Sequence, residues 1–458
     1  MKGLFIQTYG CQMNSSDSDR MRAVLAPLGY ESVPDPKLAD LVLINTCSIR
    51  DKAEAKTHSF AHDLKFLKKE RPDLKIGVTG CVAQQEKDQL LKDLPFLDMV
   101  VGPDNIDDLP WLIDQSSAIV RADFDETDAD RVWKTQTKVL SPGAIAFINV
   151  MKGCDHFCAY CVVPFTRGRE KSRPIADIVA DVNDLVSKGV REVTFLGQNI
   201  NTFGKKVGES LEELFYRVHD IDKLKRIRFT TSHPGDLKDE LIECFTELPK
   251  LASSFHLPFQ SGSNRILRAM RRFYTVEQYE ERVRALRQAR PDIAFSTDVI
   301  VGFPGESAED FEQTIELAER VRFDNAYSFL YSPRPGTSAY GRSDSTPETL
   351  KIERLMRLQT ILRAQSRELH EAEVGKVKEV LIEGPSKKDP SRLTGRTSQN
   401  VPVHIEKTAG LEQGWMGPVE IEAATLTHLR GRPSLPNHPR AAVAMPTPQV
   451  PTPASTAR

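Results

Sequence analysis

The sequence predicts an α/β protein in three parts: an N-terminal α/β domain built on a parallel sheet, a central incomplete (β/α)6 barrel, and a small all-β barrel at the C-terminus. Three observations predict it. Short β-rich apolar runs alternate with helical stretches through most of the chain, the order of a parallel sheet. Six such strand-and-helix units follow one another within residues 142–372. Beyond them, over 373–431, the pattern changes to short strands separated by turn residues.

Size and charge agree with this plan. At roughly 150 residues per domain, 458 residues make about three domains. The hydrophobic fraction of 40% and charged fraction of 28% are those of a soluble globular chain, and a net charge of -2 excludes a polycationic binder. No apolar run reaches the ~18 residues needed to span a bilayer. The opening "MKGLFIQTYGC" lacks the charged start, apolar core and cleavage site of a signal peptide, so no membrane and a cytoplasmic location are expected.

The N-terminal domain is assigned to residues 1–121. Its runs "GLFIQTYGC", "ADLVLINTC" and "LKIGVTGC" end at Cys11, Cys47 and Cys81, so three strands each deliver one thiol. The helical stretches "SDRMRAVLAPLGY" and "KTHSFAHDLKFLKKE" lie between them. In a parallel sheet the carboxyl ends of the strands share one edge, where ligands bind, so the three thiols can converge. They also fit three buried small hydrophobes. Cys244, in the helical "DELIECFTELPK", reads as a core thiol.

A polar connector, 122–141, leads to barrel strands at "AIAFINVM", "EVTFLGQ", "KRIRFTTS", "FHLPFQSG", "FSTDVIVGF" and "NAYSFLYS". The active site of such a barrel lies at the carboxyl ends of its strands. Directly after the first strand stands "VMKGCDHFCAYCVVP", with Cys154, Cys158 and Cys161 inside eight positions. Seven cysteines in so long a chain do not make a disulfide scaffold. A structural zinc site expects a fourth ligand at finger-like distance, and His156 sits between two thiols as a neighbour rather than a ligand. Three thiolates on a four-iron, four-sulfur cube leave one iron open for a substrate or cofactor. That opening gives the spacing its chemical use.

The triplet, with Tyr160 before its last cysteine, resembles the signature of the radical S-adenosylmethionine superfamily. The resemblance implies a [4Fe-4S] cluster on Cys154, Cys158 and Cys161 whose open iron binds S-adenosyl-L-methionine. The N-terminal cysteines narrow the likeness to the methylthiotransferases, which implies a second [4Fe-4S] cluster on Cys11, Cys47 and Cys81. "YGCQMN", "NTCSIRDKAEAK", "GCVAQQ", "RGREKSRP", "GQNINTFG", "HLPFQSGSN" and "YSPRPGTSA" together resemble the tRNA-2-methylthio-N6-dimethylallyladenosine synthases, over about residues 1–430. The implied reaction is methylthiolation of C2 of N6-isopentenyladenosine at position 37 of tRNA, with two S-adenosylmethionine molecules and two clusters. By the same resemblance Gln198 and Asn199 would bind the methionyl amino group, Asp298 and the "DVIVGFPG" backbone, at the end of the fifth strand, would serve ribose and adenine, Tyr160 would pack near the adenine, and Gln260 would also contact the cofactor. An electron donor such as flavodoxin or ferredoxin, a sulfur donor and a monomeric enzyme are implied as well.

The last domain, 373–431, carries the runs "KVKEVLIEG", "LTGRTS", "VPVHIE" and "PVEIEAATLTHL", and is similar to the RNA-binding TRAM domain. Lys376, Arg392, Arg396 and Arg430 there can contact phosphate or be plainly solvated. Arg167, Arg169, Lys171 and Arg173 of "TRGREKSR", just past the cysteine loop, are expected to hold tRNA or the carboxylate of S-adenosylmethionine. Residues 432–458, rich in Pro, Ala and Ser, are expected to be disordered. Three rival readings remain open: methylthiolation of a ribosomal-protein aspartate, methylthiolation of threonylcarbamoyladenosine in tRNA, and a non-catalytic iron-sulfur RNA-binding sensor.

Overall fold

The computed structural model describes residues 1–48, 51–124 and 143–434. The connector expected at 122–141 and the tail expected at 432–458 lie almost wholly outside the described residues.

In the N-terminal domain six parallel strands form one sheet in the order Tyr30–Ser32, Lys2–Tyr9, Leu41–Thr46, Lys75–Gly80, Met99–Val101 and Ile119–Arg121. Leu41–Thr46 is buried at every position, as a central strand covered on both faces must be. The three cysteine-bearing strands are neighbours, and their register sets Tyr9, Thr46 and Gly80 in one row. Gly80 has φ 88°, and a Cβ there would lie 2.5 Å from the carbonyl oxygen of Thr46. Only glycine permits that close turn into Cys81.

The central domain has all six expected strands, in two parallel three-stranded sheets. Ile145–Asn149, Glu192–Leu196 and Arg226–Thr230 form one; Ser254–His256, Ala294–Val301 and Asn325–Leu330 form the other. A parallel bridge between Ile227 and Leu251, just before the fourth strand, sets the two sheets side by side. The first and last strands pair with no further strand among the described residues, which leaves an open seam in the barrel wall. Outside, helices present apolar faces to the sheet. Ala308–Val321, capped by Ser307, buries Phe311, Ile315, Ala318 and Val321 at helical spacing. Truncating Phe311 to alanine would cost about 3–5 kcal/mol. In the first strand Ala146 and Ile148 are buried in the core under these helices, while Ile145, Phe147 and Asn149 alternate to the other face and are half-buried.

The C-terminal domain is a closed five-stranded barrel, Val377–Pro385, Arg392–Thr397, Pro402–Glu406, Met416–Ala424 and Leu429–Pro433. The last run expected from the sequence is two strands, because Thr425 turns the chain by accepting from, and donating to, His428. The final strand runs to Pro433, two residues past the boundary expected at 431.

This barrel docks on the amino ends of the central strands. Arg226 donates to Arg396 O at 3.1 Å, and Arg228 donates to Thr397 O at 2.5 Å and Ser398 O at 2.9 Å. The Ser253 N–H donates to Ser398 Oγ at 2.8 Å, and Gln399 donates to Asp292 at 2.7 Å. Both arginines are buried and share Glu192, at 3.1 and 2.8 Å. The turn at 397–400 therefore seals the floor of the central barrel.

Candidate active site

Just beyond the row of Tyr9, Thr46 and Gly80 stand Cys11, Cys47 and Cys81. Cys11 precedes the helix Gln12–Leu25, Cys47 N donates to Tyr9 O at 2.9 Å, and Cys81 opens the helix Cys81–Glu86. The buried Asn14 fixes the corner: its Oδ1 accepts from Cys11 N at 3.2 Å and its Nδ2 donates to Asn45 Oδ1 and Thr46 O. A hydrogen bond with Cys47, helped by the Arg167 guanidinium, lowers Cys11 to about 6 against its burial, whereas burial raises Cys81.

Cys154, Cys158 and Cys161 lie in the loop after the first barrel strand. Gly153, at φ 73°, lets the loop cross the backbone of Arg169, where a Cβ would come within 2.2 Å of the carbonyl oxygen. Burial pushes Cys154 and Cys161 up to about 12, and Arg272 donates to Cys158 Sγ at 3.6 Å. All six thiols are free of disulfides.

A cavity of about 1030 Å3 runs beneath the N-terminal triad through the barrel. Cys11, Cys47 and Cys81 line its upper end, Val163 and Thr166 from the segment after the triplet join them, and Arg396, Gln399 and Asn400 line its floor. Thr194, Arg228, His256, Asp298, Phe147 and Tyr327 line the lumen between.

The expected cofactor residues divide. Gln198 lines the cavity, and its Oε1 is buried without a partner in the chain. Asn199 is buried, with Nδ2 committed to Asp236 at 2.7 Å and Oδ1 unsatisfied. Asp298 faces the cavity from the middle of its strand, not from the end expected, and its carboxylate lies 3.5 Å from His256 Nε2. Gln260 has φ 64° and extends the sheet through Asp298 O and Ile300 N. Tyr160 packs against the small cluster of Ala159, Ile266, Met270, Phe303 and Ala339.

The basic run requires correction. Arg167 is buried, paired with Asp17 at 2.7 Å and donating Nε–H to Cys81 Sγ at 3.2 Å, so it cannot meet phosphate. Arg173 is buried against Asp181 at 2.7 Å. Lys171 is half-buried in a two-residue strand opposite Lys152. Arg169 alone of the four is exposed; it pairs with Asp155 and lies 5.1 Å over the Phe157 ring, which meets Phe165 edge-on. In the last domain Arg396 is half-buried at the cavity floor with Glu383, Lys376 is exposed beside Glu373, Arg392 pairs with Asp389, and Arg430 is exposed.

Sequence reading missed a network beside the triplet. His156 and His233 stack at 4.2 Å, His156 Nε2 lies 2.6 Å from Asp236 Oδ2, and Asp236, held at about 2 chiefly by its bonds from His156 and Asn199 against burial, binds Asn199. The "SHPGD" run after the third strand was its available signal.

The donor sets suit the implied groups. Each cysteine set offers three free thiols, the donor type and number a four-iron cluster with one open iron takes, and among the described residues a further group of ligand atoms within 4.8 Å of one another is His156, His233 and Asp236. Unsatisfied buried polar atoms gather at the ends of the first three strands: Asn149 Oδ1, Gln198 Oε1, Asn199 Oδ1, Ser232 Oγ and His233 Nε2. Such atoms need partners, and a zwitterionic amino acid moiety such as that of S-adenosylmethionine supplies them.

Comparison with known proteins follows the same three parts. Residues 3–102 match uncharacterized protein family UPF0004, 148–318 the radical SAM superfamily, and 371–433 the TRAM domain. Among solved structures, the radical S-adenosylmethionine methyltransferase TsrM from Kitasatospora setae, with cobalamin and a [4Fe-4S] cluster bound, superposes with a TM-score of 0.55 over 74% of each chain at 13% identity, a likeness of fold. The tRNA-2-methylthio-N(6)-dimethylallyladenosine synthase of Myxococcus xanthus is 49% identical over 94% of each chain. That of Saccharophagus degradans is 46% identical over 94% of this chain and 96% of its own. At such identity over nearly the whole length, the chain belongs to the family of tRNA-2-methylthio-N(6)-dimethylallyladenosine synthases.

Proposed function

We propose that this protein methylthiolates C2 of N6-isopentenyladenosine at position 37 of tRNA, giving 2-methylthio-N6-isopentenyladenosine. The observation that carries the reading is the pair of cysteine sets, one at the strand ends of each α/β domain: Cys11, Cys47 and Cys81 line the upper end of the cavity, and Val163 and Thr166, just past Cys154, Cys158 and Cys161 in the chain, line it beside them. Cys11, Cys47 and Cys81 hold one [4Fe-4S] cluster; Cys154, Cys158 and Cys161 hold the other, with S-adenosylmethionine beside it. C2 of adenine carries no acidic proton, so base catalysis alone cannot exchange its hydrogen for sulfur. When bound, these groups supply the radical chemistry and the methylated sulfur.

The chain's own side chains position the reactants. Gln198, Asn199 and their unsatisfied neighbours hold the methionyl end. The base enters through the open seam, between Phe147 on the first strand and Tyr327 on the last, both lining the cavity. Ile145 and Phe147 offer apolar surface to the five-carbon N6 substituent in a lumen otherwise lined by Thr194, Arg228, His256 and Asp298. Burying five carbons contributes up to ~4 kcal/mol at about 0.8 per methylene. Arg169, Arg396 and Lys376 contact tRNA phosphate, and the Phe157 and Phe165 rings beside Arg169 suit unpaired bases. A flavodoxin- or ferredoxin-type donor supplies electrons, and the enzyme works as a cytoplasmic monomer. Among the described residues no helix is long and apolar enough to cross a membrane.

The test offers the anaerobically reconstituted protein an isopentenylated anticodon stem-loop, its unmodified counterpart, a threonylcarbamoylated stem-loop and ribosomal protein. Mass spectrometry should find methylthio transfer to the first. Transfer to another substrate instead would reassign the enzyme, and absence of 5'-deoxyadenosine would remove the radical chemistry.

A further inference from the structure

Arg167 belongs to the central domain but reaches into the N-terminal one. It follows the short helix Val163–Thr166 and ends between two N-terminal groups. Its NH2 lies 2.7 Å from Asp17 Oδ2, and its Nε–H donates to Cys81 Sγ at 3.2 Å. Both charged side chains are only 6% exposed. Asp17 is carried on the helix Gln12–Leu25 that follows Cys11, so one guanidinium ties together the elements presenting two of the three thiols.

We infer that Arg167 is a positioning residue that sets the reduction potential of the N-terminal cluster, and that Asp17 opposes it. The inference rests on the reading that Cys11, Cys47 and Cys81 ligate a cluster. Adding an electron increases the negative charge carried on the ligating sulfurs. A buried cation donating a hydrogen bond to one of them stabilises the reduced state more than the oxidised one, because water screens little there. The Asp17 carboxylate, equally buried, offsets part of that effect. Arg167 and Asp17 therefore act on the same electron with opposite sign. The fork of the guanidinium serves both partners at once, which a lysine cannot reproduce.

The experiment uses the full chain with Cys154, Cys158 and Cys161 replaced by alanine, so that the N-terminal cluster alone is titrated, with iron and sulfide counted and potential followed by electron paramagnetic resonance. Arg167→Gln should make reduction at least tenfold less favourable, a fall of 59 mV for one electron. Arg167→Lys should fall between, and Asp17→Asn should move the potential upward. An unchanged potential in Arg167→Gln with the cluster retained, or a downward move in Asp17→Asn, would overturn the inference. Loss of iron from both Arg167 variants would also overturn it, by making the residue one of assembly. A parent protein that holds no N-terminal cluster would instead refute the cofactor reading beneath it.

Discussion

Replacing Glu192 with glutamine removes the buried counter-charge from two arginines while keeping the shape of the side chain. Glu192 is 1% exposed, and Arg226 and Arg228 are 2% and 6% exposed. Burial already pulls Arg228 down to about 10, with Glu192 opposing that pull. Breaking a buried pair by removing one partner costs about 3–5 kcal/mol, because the remaining charge stays desolvated. That is two to three and a half powers of ten in equilibrium constant, against a domain stability of about 5–15 kcal/mol. Glu379 is a built-in control: it lies 3.6 Å from the same Arg226 but is 61% exposed, so Glu379→Gln should cost no more than ~1 kcal/mol. Urea unfolding at pH 7, followed by circular dichroism, compares the two variants with the parent. The Glu192 variant should also be cut faster by protease at the junction near residue 376, because the carbonyls of 396–398 lose well-placed donors. A Glu192→Gln cost below ~1 kcal/mol, or one matched by Glu379→Gln, would refute the claim that the charged cluster holds the floor in place.

Three further outcomes are expected. Cys154→Ala should abolish both S-adenosylmethionine cleavage and product, while Cys47→Ala should keep 5'-deoxyadenosine formation and lose methylthiolation; equal loss of cleavage in both, with protein folded, would count against separate roles. Phe147→Asp should erase most of the preference for isopentenylated over unmodified stem-loop, and Phe147→Leu should restore it; competition assays read the ratio, and an undiminished preference in the aspartate variant would move the alkyl subsite elsewhere. Burial raises Glu306 from 4.5 to about 7, despite Gly302 N–H and Arg354 favouring its charge. Its folded form thus prefers the proton, and the stability this brings is present below 4.5 and lost as pH rises through about 7. At 1.36 kcal/mol per pH unit the loss is about 3 kcal/mol. Melting temperatures across that window should fall for the parent and stay flatter for Glu306→Gln; parallel curves would show that Glu306 is not the titrating group.

The cysteines were legible because a metal site demands one residue type at fixed places. The strands delivering them carry local signals that a single sequence shows. The six central strands were legible for the same reason. Tyr30–Ser32, Met99–Val101 and Ile119–Arg121 were not, since three residues are too few to display a period; Ser254–His256, equally short, was caught through the longer run "FHLPFQSG" around it. Arg167 and Arg173 were misread because sequence shows a charge but not its partner: Asp17 lies 150 positions away, and Asp181 is met only after a helix forms. The network of His156, His233 and Asp236 joins two loops 77 residues apart, and no local pattern announces it. The last domain was expected to be a small barrel similar to the RNA-binding TRAM domain. The bonds from Arg226, Arg228 and Ser253 make it part of the catalytic barrel, because the turn that seals the floor belongs to it.

That docking orders the birth of the enzyme. Translation releases domains from the amino end onward, and each folds largely as a unit. The first sheet, complete by Arg121, can form with its three thiols already in a row. The central barrel emerges next with its underside open and Arg226 and Arg228 still hydrated. Only when the strands on either side of residues 397–400 have left the ribosome does water leave that floor. A ribosome that stops before them yields a nascent chain carrying every cysteine of both sets above a barrel still open at its floor. Enclosure of the barrel floor thus waits on the last domain to be made.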